Sequence, residues 1–156
     1  MIAACEAAGV VLTVNKVTRF RASPRHAKAI VDGGGIGELR MLQVRSTVTA
    51  YLGDGDDWTK DPNEGGAWLD MGAHLCDAIR WFTGSEVATV LGEGGGGGWR
   101  PGAAGLGGAS VQLLLENGVR VQILMSLEMP EPGLGSQSQC TFVGSTGIVE
   151  CDAYGL

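Results

Sequence analysis

The chain has 156 residues, of which 17 are acidic and 11 are basic, and its net charge at pH 7 is −6. This length favours a single domain with a buried core, and the ordinary apolar fraction excludes intrinsic disorder. The acidic balance argues against a nucleic-acid partner, because the phosphate backbone attracts basic surfaces. The apolar stretch 1–12 contains Glu6 and is too short to span a membrane, so we expect no membrane partner.

The cysteines predict a reducing environment. Cys5, Cys76, Cys140 and Cys151 form no C-x-x-C pair and have no regular spacing. We therefore expect buried, reduced thiols and a cytoplasmic location, and we expect no zinc site.

Hydrophobic pattern and turn residues divide the chain into helices and strands. In chain order they predict a helix over 2–8 that ends at Gly9, a buried strand over 10–14, a helix that Ser23-Pro24 begins and Gly33 ends, a strand over 38–51, a helix over 66–82, a strand over 87–91, a flexible glycine-rich loop over 92–108, strands over 111–116 and 119–129, and a hairpin from Cys140 to Cys151. This order predicts an α+β fold, in which helices cover one face of an open, largely antiparallel sheet.

Two details of the strands are more specific. Asn117-Gly118 is a strong signal for a hairpin turn, and the apolar residues of 119–129 alternate strictly. In the first long strand the apolar positions change face near Leu42, which indicates a β-bulge.

A helical wheel separates two faces of the helix predicted over 66–82. The apolar face holds Trp68, Met71, Leu75, Ile79 and Phe82. The opposite face holds Asp70, His74, Asp77 and Trp81. The small residues Gly72 and Ala73 beside this second face leave room for another molecule to approach.

The second face contains candidate catalytic residues. A histidine exchanges a proton near neutral pH, and a carboxylate one turn away orients the imidazole or its reactant, as His74 and Asp70 would here. On the pattern alone, a solvated face with an ordinary helical ion pair is favoured over catalysis. A metal site at the i, i+4 pair ranks below both, because no third ligand is evident.

Four motifs have a distinctive order along the chain. Residues 65–77 read G-G-A-W-L-D-M-G-A-H-L-C-D, Arg19-Phe20 precedes Pro24, residues 35–38 read G-I-G-E, and residues 143–147 read V-G-S-T-G. They are similar to the G-G-x-x-x-D-x-G-x-H-x-x-D, R-F-x-P, G-x-I-G-E and G-T-x-G motifs of the glucose–fructose oxidoreductase / inositol dehydrogenase / rhizopine catabolism (Gfo/Idh/MocA) family. This resemblance shifts the preference for the helix over 66–82 from a solvated face to catalysis.

The resemblance implies an oxidoreductase that uses NAD or NADP. Hydride would pass between the nicotinamide and a carbinol carbon of a sugar, polyol or diol. His74 would be the general base on the hydroxyl, Asp70 would hold that hydroxyl or the imidazole, and Asp77 would support them. The open sheet would carry a homodimer interface.

Four further residues are weaker candidates for substrate binding. Asn15 and Arg19 follow the predicted strand over 10–14, where a cofactor or substrate could lie, but ordinary surface residues are slightly favoured there. Trp58 and Lys60 precede the helix over 66–82. Stacking on a sugar and contact with a hydroxyl are about as plausible for them as a capping hydrophobe and a solvated lysine.

The resemblance also implies a division of the chain. Residues 1–14 look like the last helix and strand of the family's Rossmann domain, and 15–156 look like its substrate and dimerisation domain without the C-terminal end. The G-x-G-x-x-G turn and the E-K-P segment are missing, so NAD(P) would be bound mainly by residues outside this sequence. We expect an enzyme fragment that is inactive by itself. The alternative is a non-catalytic regulator that keeps the fold and binds a nucleotide or a partner.

Overall fold

The computed structural model describes residues 1–49, 68–95, 107–129 and 137–153. Its helices are α1 (Ile2–Ala8), α2 (Ala22–Asp32) and α3 (Ala73–Thr83). Its strands are β1 (Leu39–Thr49), β2 (Val87–Gly95), β3 (Gly108–Leu115), β4 (Arg120–Met129), β5 (Gln137–Gly144) and β6 (Ile148–Asp152). A 3-10 turn over Val17–Phe20 precedes α2, and a π turn over Trp68–Gly72 precedes α3.

Within these ranges the strands form one sheet, in the order β2-β3-β4-β1-β5-β6. β1 and β4 run in parallel, while all the other neighbouring pairs are antiparallel. This topology confirms the predicted α+β fold with an open, largely antiparallel sheet.

The core lies between one face of the sheet and the helices α2 and α3. Phe82 of α3 meets Phe142 of β5 edge to face, with 4.8 Å between the ring centroids. α2 packs against β6 on the same face. The predicted alternation of 119–129 is confirmed, because every second side chain enters this core: Val119, Val121, Ile123, Met125 and Leu127.

The predicted hairpin turn and bulge are also present. Gly118 adopts a φ of 82°, which favours glycine, and the side-chain oxygen of Asn117 accepts a hydrogen bond of 3.2 Å from the Val119 N–H. The register between β1 and β5 shifts between Leu39 and Met41, close to the predicted change of face.

Two of the sequence motifs contact each other at the start of β1. The Glu38 N–H donates to the Ser145 hydroxyl at 3.0 Å, and the Ser145 N–H donates to the Glu38 carbonyl at 2.9 Å. Gly37 has a φ of 71°, and a side chain there would collide with the Ser145 hydroxyl. The G-I-G-E and G-S-T-G motifs therefore join the start of β1 to the β5–β6 hairpin.

The strand predicted over 10–14 is wrong. α1 ends at Gly9 as expected, but residues 10–14 form no strand and their apolar side chains are exposed. A strand is held by hydrogen bonds to a neighbour, and no described strand lies beside this run. The β-branched composition of 10–14 favours extended backbone, but it does not show whether a neighbouring strand is present.

The boundaries of two other elements differ from the prediction. Gly92 to Gly95 continue β2 and pair with β3, which already begins at Gly108, so the predicted loop over 92–108 is too long at both ends. Backbone hydrogen bonds to β3 hold these glycines although they offer no side chain to pack. α2 begins at Ala22, and Ser23 is inside the helix instead of capping it.

The thiols are only partly as expected. Cys140 and Cys151 are buried, but Cys76 is exposed and Cys5 is half-buried. Cys76 falls on the outward stripe of α3, and α1 has no buried residue at all, which explains both departures. Across the four described ranges, no helix is long and apolar enough to cross a membrane.

Candidate active site

The helix that carries the candidate residues begins with a π turn. The wider Trp68–Gly72 turn contains Asp70 and leads directly into α3, which holds His74 and Asp77 and ends at Gly84 with a φ of 61°. Such π turns are frequent at functional sites. The first residues of the predicted helix, 66 and 67, lie outside the described residues.

The predicted core face of this helix is confirmed. Four of its side chains are buried against the sheet and Trp68 packs on them: Met71, Leu75, Ile79 and Phe82. The second face is placed differently from the prediction, because its four side chains are half-buried instead of lying opposite the core: Asp70, His74, Asp77 and Trp81. The most exposed stripe is a third one: Leu69, Ala73, Cys76 and Arg80. The candidate residues thus line a flank between core and solvent, where a side chain is partly shielded from water.

Gly72 does not leave room for a ligand, which corrects the interpretation from the sequence. It is buried under the Trp68 ring, and a Cβ at this position would lie 2.9 Å from Trp68 Cδ2. The glycine of the D-x-G-x-H motif therefore allows the indole to cover the π turn.

His74 has a buried ring nitrogen that makes no hydrogen bond with the described part of the chain. Its Nδ1 atom is buried and has no hydrogen-bond partner, whereas Nε2 is not among the buried unpartnered atoms. Among the described residues, no hydrogen bond joins His74 to Asp70, although the two are one helical turn apart. A buried ring nitrogen without a partner costs about 1–3 kcal/mol, and a catalytic role, local strain or a bound water or ion accounts for such groups in native structures.

Asp77 is held by Arg19 from the 3-10 turn. Arg19 Nε donates to Asp77 Oδ2 at 2.8 Å, and Arg19 Nη2 donates to Asp77 Oδ1 at 2.7 Å. This two-pronged hydrogen bond lowers the pKa of the Asp77 carboxyl and raises that of the Arg19 guanidinium. The pair ties the segment before α2 to the helix that carries His74.

Replacing Arg19 with glutamine is expected to lower the free energy of unfolding by about 1 kcal/mol at neutral pH, since the pair is only partly shielded from water. Because the pKa of Asp77 is lowered in the fold, this stabilisation is complete above the ordinary aspartate pKa. It disappears as the pH falls through the lowered value. Urea unfolding of both proteins over a pH series measures the difference.

A second ion pair provides the control for that prediction. Lys28 and Asp32 are 2.9 Å apart within α2, and the Asp32 carboxylate is more exposed than that of Asp77. Asp32→Asn removes this pair and leaves Lys28 over the Trp81 ring, so it should cost only about 0.3–0.5 kcal/mol, as is usual for i, i+4 helical pairs. An Arg19→Gln loss no larger than this, or one that persists in acid, would contradict the structural role of the Arg19–Asp77 pair.

Arg19 is a candidate for substrate binding, and the structure places its guanidinium on Asp77. Asn15 is exposed and precedes the 3-10 turn. Trp58 and Lys60 lie outside the described residues.

Lys16 is a residue near the site that the sequence reasoning missed. Its charge helps to lower the pKa of Asp77 and partly offsets the rise that burial causes in the pKa of Cys76, so it lies close to the outer part of α3. In the sequence, only its position between the candidates Asn15 and Arg19 indicated that Lys16 could lie near the site. In the described ranges, no three histidine, cysteine or acidic side chains cluster as metal ligands would.

Comparison with known proteins identifies the family. Residues 25–150 match the model of the GFO/IDH/MocA C-terminal domain. This match covers most of the chain, so the chain belongs to the Gfo/Idh/MocA family, as its motifs indicated. No curated protein sequence matches it.

Solved structures of oxidoreductases share the fold. A probable dehydrogenase from Thermotoga maritima has 25% identity and a TM-score of 0.78, over 94% of this chain and 43% of that one. Scyllo-inositol dehydrogenase from Lactobacillus casei, solved with NAD(H) and scyllo-inositol, has 25% identity and a TM-score of 0.74, over 94% and 43%. Aldose-aldose oxidoreductase from Caulobacter crescentus, at 24% identity and a TM-score of 0.79, matches over 97% and 44%. This chain thus spans less than half the length of these structures.

Proposed function

We propose that this chain is the substrate-binding part of an NAD(P)-dependent oxidoreductase that acts on a carbinol group of a sugar, polyol or diol. Family membership and the likeness to a scyllo-inositol dehydrogenase support this class of reaction. The observation that carries the proposal is the half-buried flank of Asp70 and His74, with its buried and unpartnered Nδ1.

In this proposal, His74 takes the hydroxyl proton of the substrate when the carbinol is oxidised. Because Nδ1 is enclosed by protein, Nε2 is the nitrogen that receives the proton. Asp70, one turn earlier and equally shielded, accepts a hydrogen bond from the substrate hydroxyl or from the imidazolium that forms. Partial burial strengthens both interactions relative to water. Asp77 stays paired with Arg19 and fixes the position of α3.

The nicotinamide, when bound, supplies the acceptor for the hydride that leaves the same carbon. The part of the reaction that we assign to this chain is proton transfer and substrate orientation, and we propose that the dinucleotide is held mainly by residues outside this sequence.

An assay of NADH or NADPH formation tests the proposal. The gene product that carries these residues together with a nucleotide-binding domain is incubated with NAD or NADP and a panel of cyclic polyols and aldoses. We expect reduction of one cofactor with at least one member of the panel, and no reduction by the 156-residue chain alone. Tight binding of the cofactor without turnover on any member would favour a non-catalytic regulator.

We also propose that the open face of the sheet forms a homodimer. Leu114 and Leu124 are exposed on this face among polar side chains, with Gln43 and Gln122 hydrogen-bonded beside them at 3.0 Å. Apolar side chains within a polar surface of this kind are typical of protein interfaces.

Leu124→Glu is expected to raise the dimer dissociation constant at least about tenfold, because it places a charge in the interface. Sedimentation equilibrium measures this change. Leu69→Glu is the matched control, since Leu69 is 52% exposed on the helical side and Leu124 is 51% exposed on the sheet. Equal effects of both substitutions, or a monomeric wild type, would contradict the proposed interface.

A further inference from the structure

Two thiols face each other across the β5–β6 hairpin, away from α3. Cys140 and Cys151 are direct partners in the antiparallel register. Cα atoms of direct partners lie about 4.5–5.5 Å apart in such ladders, which is within the range that a disulfide spans. Both cysteines are buried, with 1% and 7% of their surface exposed. The other two cysteines lie on helices: Cys5 is in α1 and Cys76 is in α3.

The two thiols are not equivalent. The hydrogen bond between the two thiols raises the pKa of Cys140 and lowers that of Cys151. The thiolate is the nucleophilic form of cysteine. Cys151 is also the less buried of the two, with 7% of its surface exposed against 1% for Cys140, so we assign Cys151 as the attacking sulfur.

A groove reaches only one of them. The space between α2 and β6 has a volume of about 430 Å³, and its lining includes Cys151 but not Cys140. His26 and Ser23 of α2 give it a polar wall. A small polar molecule in this groove meets the more nucleophilic of the two sulfurs first.

We propose that Cys140 and Cys151 are a redox modification site, which a low-molecular-weight disulfide of the glutathione type oxidises to an intramolecular disulfide. The Cys151 thiolate attacks one sulfur of glutathione disulfide, forms a mixed disulfide and releases one glutathione thiolate. Cys140 then loses its proton to solvent and attacks the Cys151 sulfur, which expels the second glutathione. Two protein thiols are oxidised, and one glutathione disulfide is reduced to two thiols.

This site uses no residue of the Asp70–His74 flank. The new bond would close the hairpin of β5 and β6 and fix the edge strand to its neighbour. It would therefore form whether or not the chain takes part in an oxidoreductase.

In the test, the folded chain is incubated with glutathione disulfide and the exchange is stopped with acid. The remaining thiols are then blocked by alkylation, and the chain is cleaved after Glu150. Glu150 lies between Cys140 and Cys151, so after this cleavage only a disulfide can hold their two peptides together. We expect mass spectrometry to find these peptides joined, with loss of both thiols from alkylation. Reduction should separate them again.

Variants distinguish the order of the two steps. Cys140→Ser should stop at the glutathione adduct of Cys151, and Cys151→Ser should leave Cys140 unmodified. The Cys5→Ser/Cys76→Ser double variant is the control and should form the same intramolecular disulfide. If wild-type Cys140 and Cys151 both remain fully alkylatable after exposure, or if Cys151 is joined to Cys5 or Cys76 instead, the proposal is wrong. The wild-type result decides this even if a variant does not fold.

Discussion

Replacing Phe142 with alanine is expected to remove about 3–5 kcal/mol of unfolding free energy, the usual loss for a buried phenylalanine. Phe142 is 0% exposed, and its ring supports Phe82 of α3. The centroids of the Phe82 and Trp81 rings are 4.9 Å apart. A cavity at Phe142 therefore weakens the packing of α3 on the sheet as well as the packing within the sheet. A domain of ordinary stability has about 5–15 kcal/mol in total, so the variant should be close to unfolding. Urea denaturation followed by tryptophan fluorescence measures the loss.

Phe20→Ala is the matched control for this prediction. Phe20 ends the 3-10 turn and is 71% exposed, so it buries little on folding. Its removal should change the unfolding free energy by less than about 0.5 kcal/mol. Similar losses for the two phenylalanines would mean that the packing of α3 on β5 is not the centre of the core.

Replacing His74 with alanine is expected to lower the turnover number by about 10²–10⁴-fold in the gene product that also carries a nucleotide-binding domain. The reason is the loss of the group that we propose as the base on the substrate hydroxyl. Cofactor binding, followed by the fluorescence of bound NADH or NADPH, should not change. Steady-state kinetics with the substrate found in the assay measures the effect.

Asp70→Asn should also reduce turnover, because an amide keeps the shape of the side chain but not its charge. Cys76→Ser is the control, since Cys76 lies on the exposed stripe of the same helix and has no assigned role. A fall in turnover with Cys76→Ser, or full activity of both His74→Ala and Asp70→Asn, would exclude proton transfer on this flank.

Local patterns were sufficient to predict most of the elements. The alternation in 119–129, the Asn117-Gly118 turn and the apolar stripe of α3 each depend on neighbours within a few residues, and each is confirmed. The strand over 10–14 was wrong for the opposite reason. A strand exists only beside a partner, and hydrophobic composition does not reveal whether one is present.

The common stripe of the candidate residues was predictable from the sequence, but its surroundings were not. Spacing placed Asp70, His74 and Asp77 on one stripe, while the wheel could not show that the stripe lies at the edge of the core. The Arg19–Asp77 pair joins residues 58 positions apart, and no local pattern encodes such a contact. The burial of Nδ1 depends on tertiary packing in the same way.

The topology of the sheet has a consequence for synthesis on the ribosome. β1 is complete at residue 49, yet its two neighbours are β4 and β5, which begin at residues 120 and 137. A nascent chain that has not reached residue 120 therefore has a finished central strand with both edges unpaired. During translation its backbone groups are open to water, chaperones and other nascent chains, so the elongation time between these strands sets how long the growing polypeptide is open to misassembly.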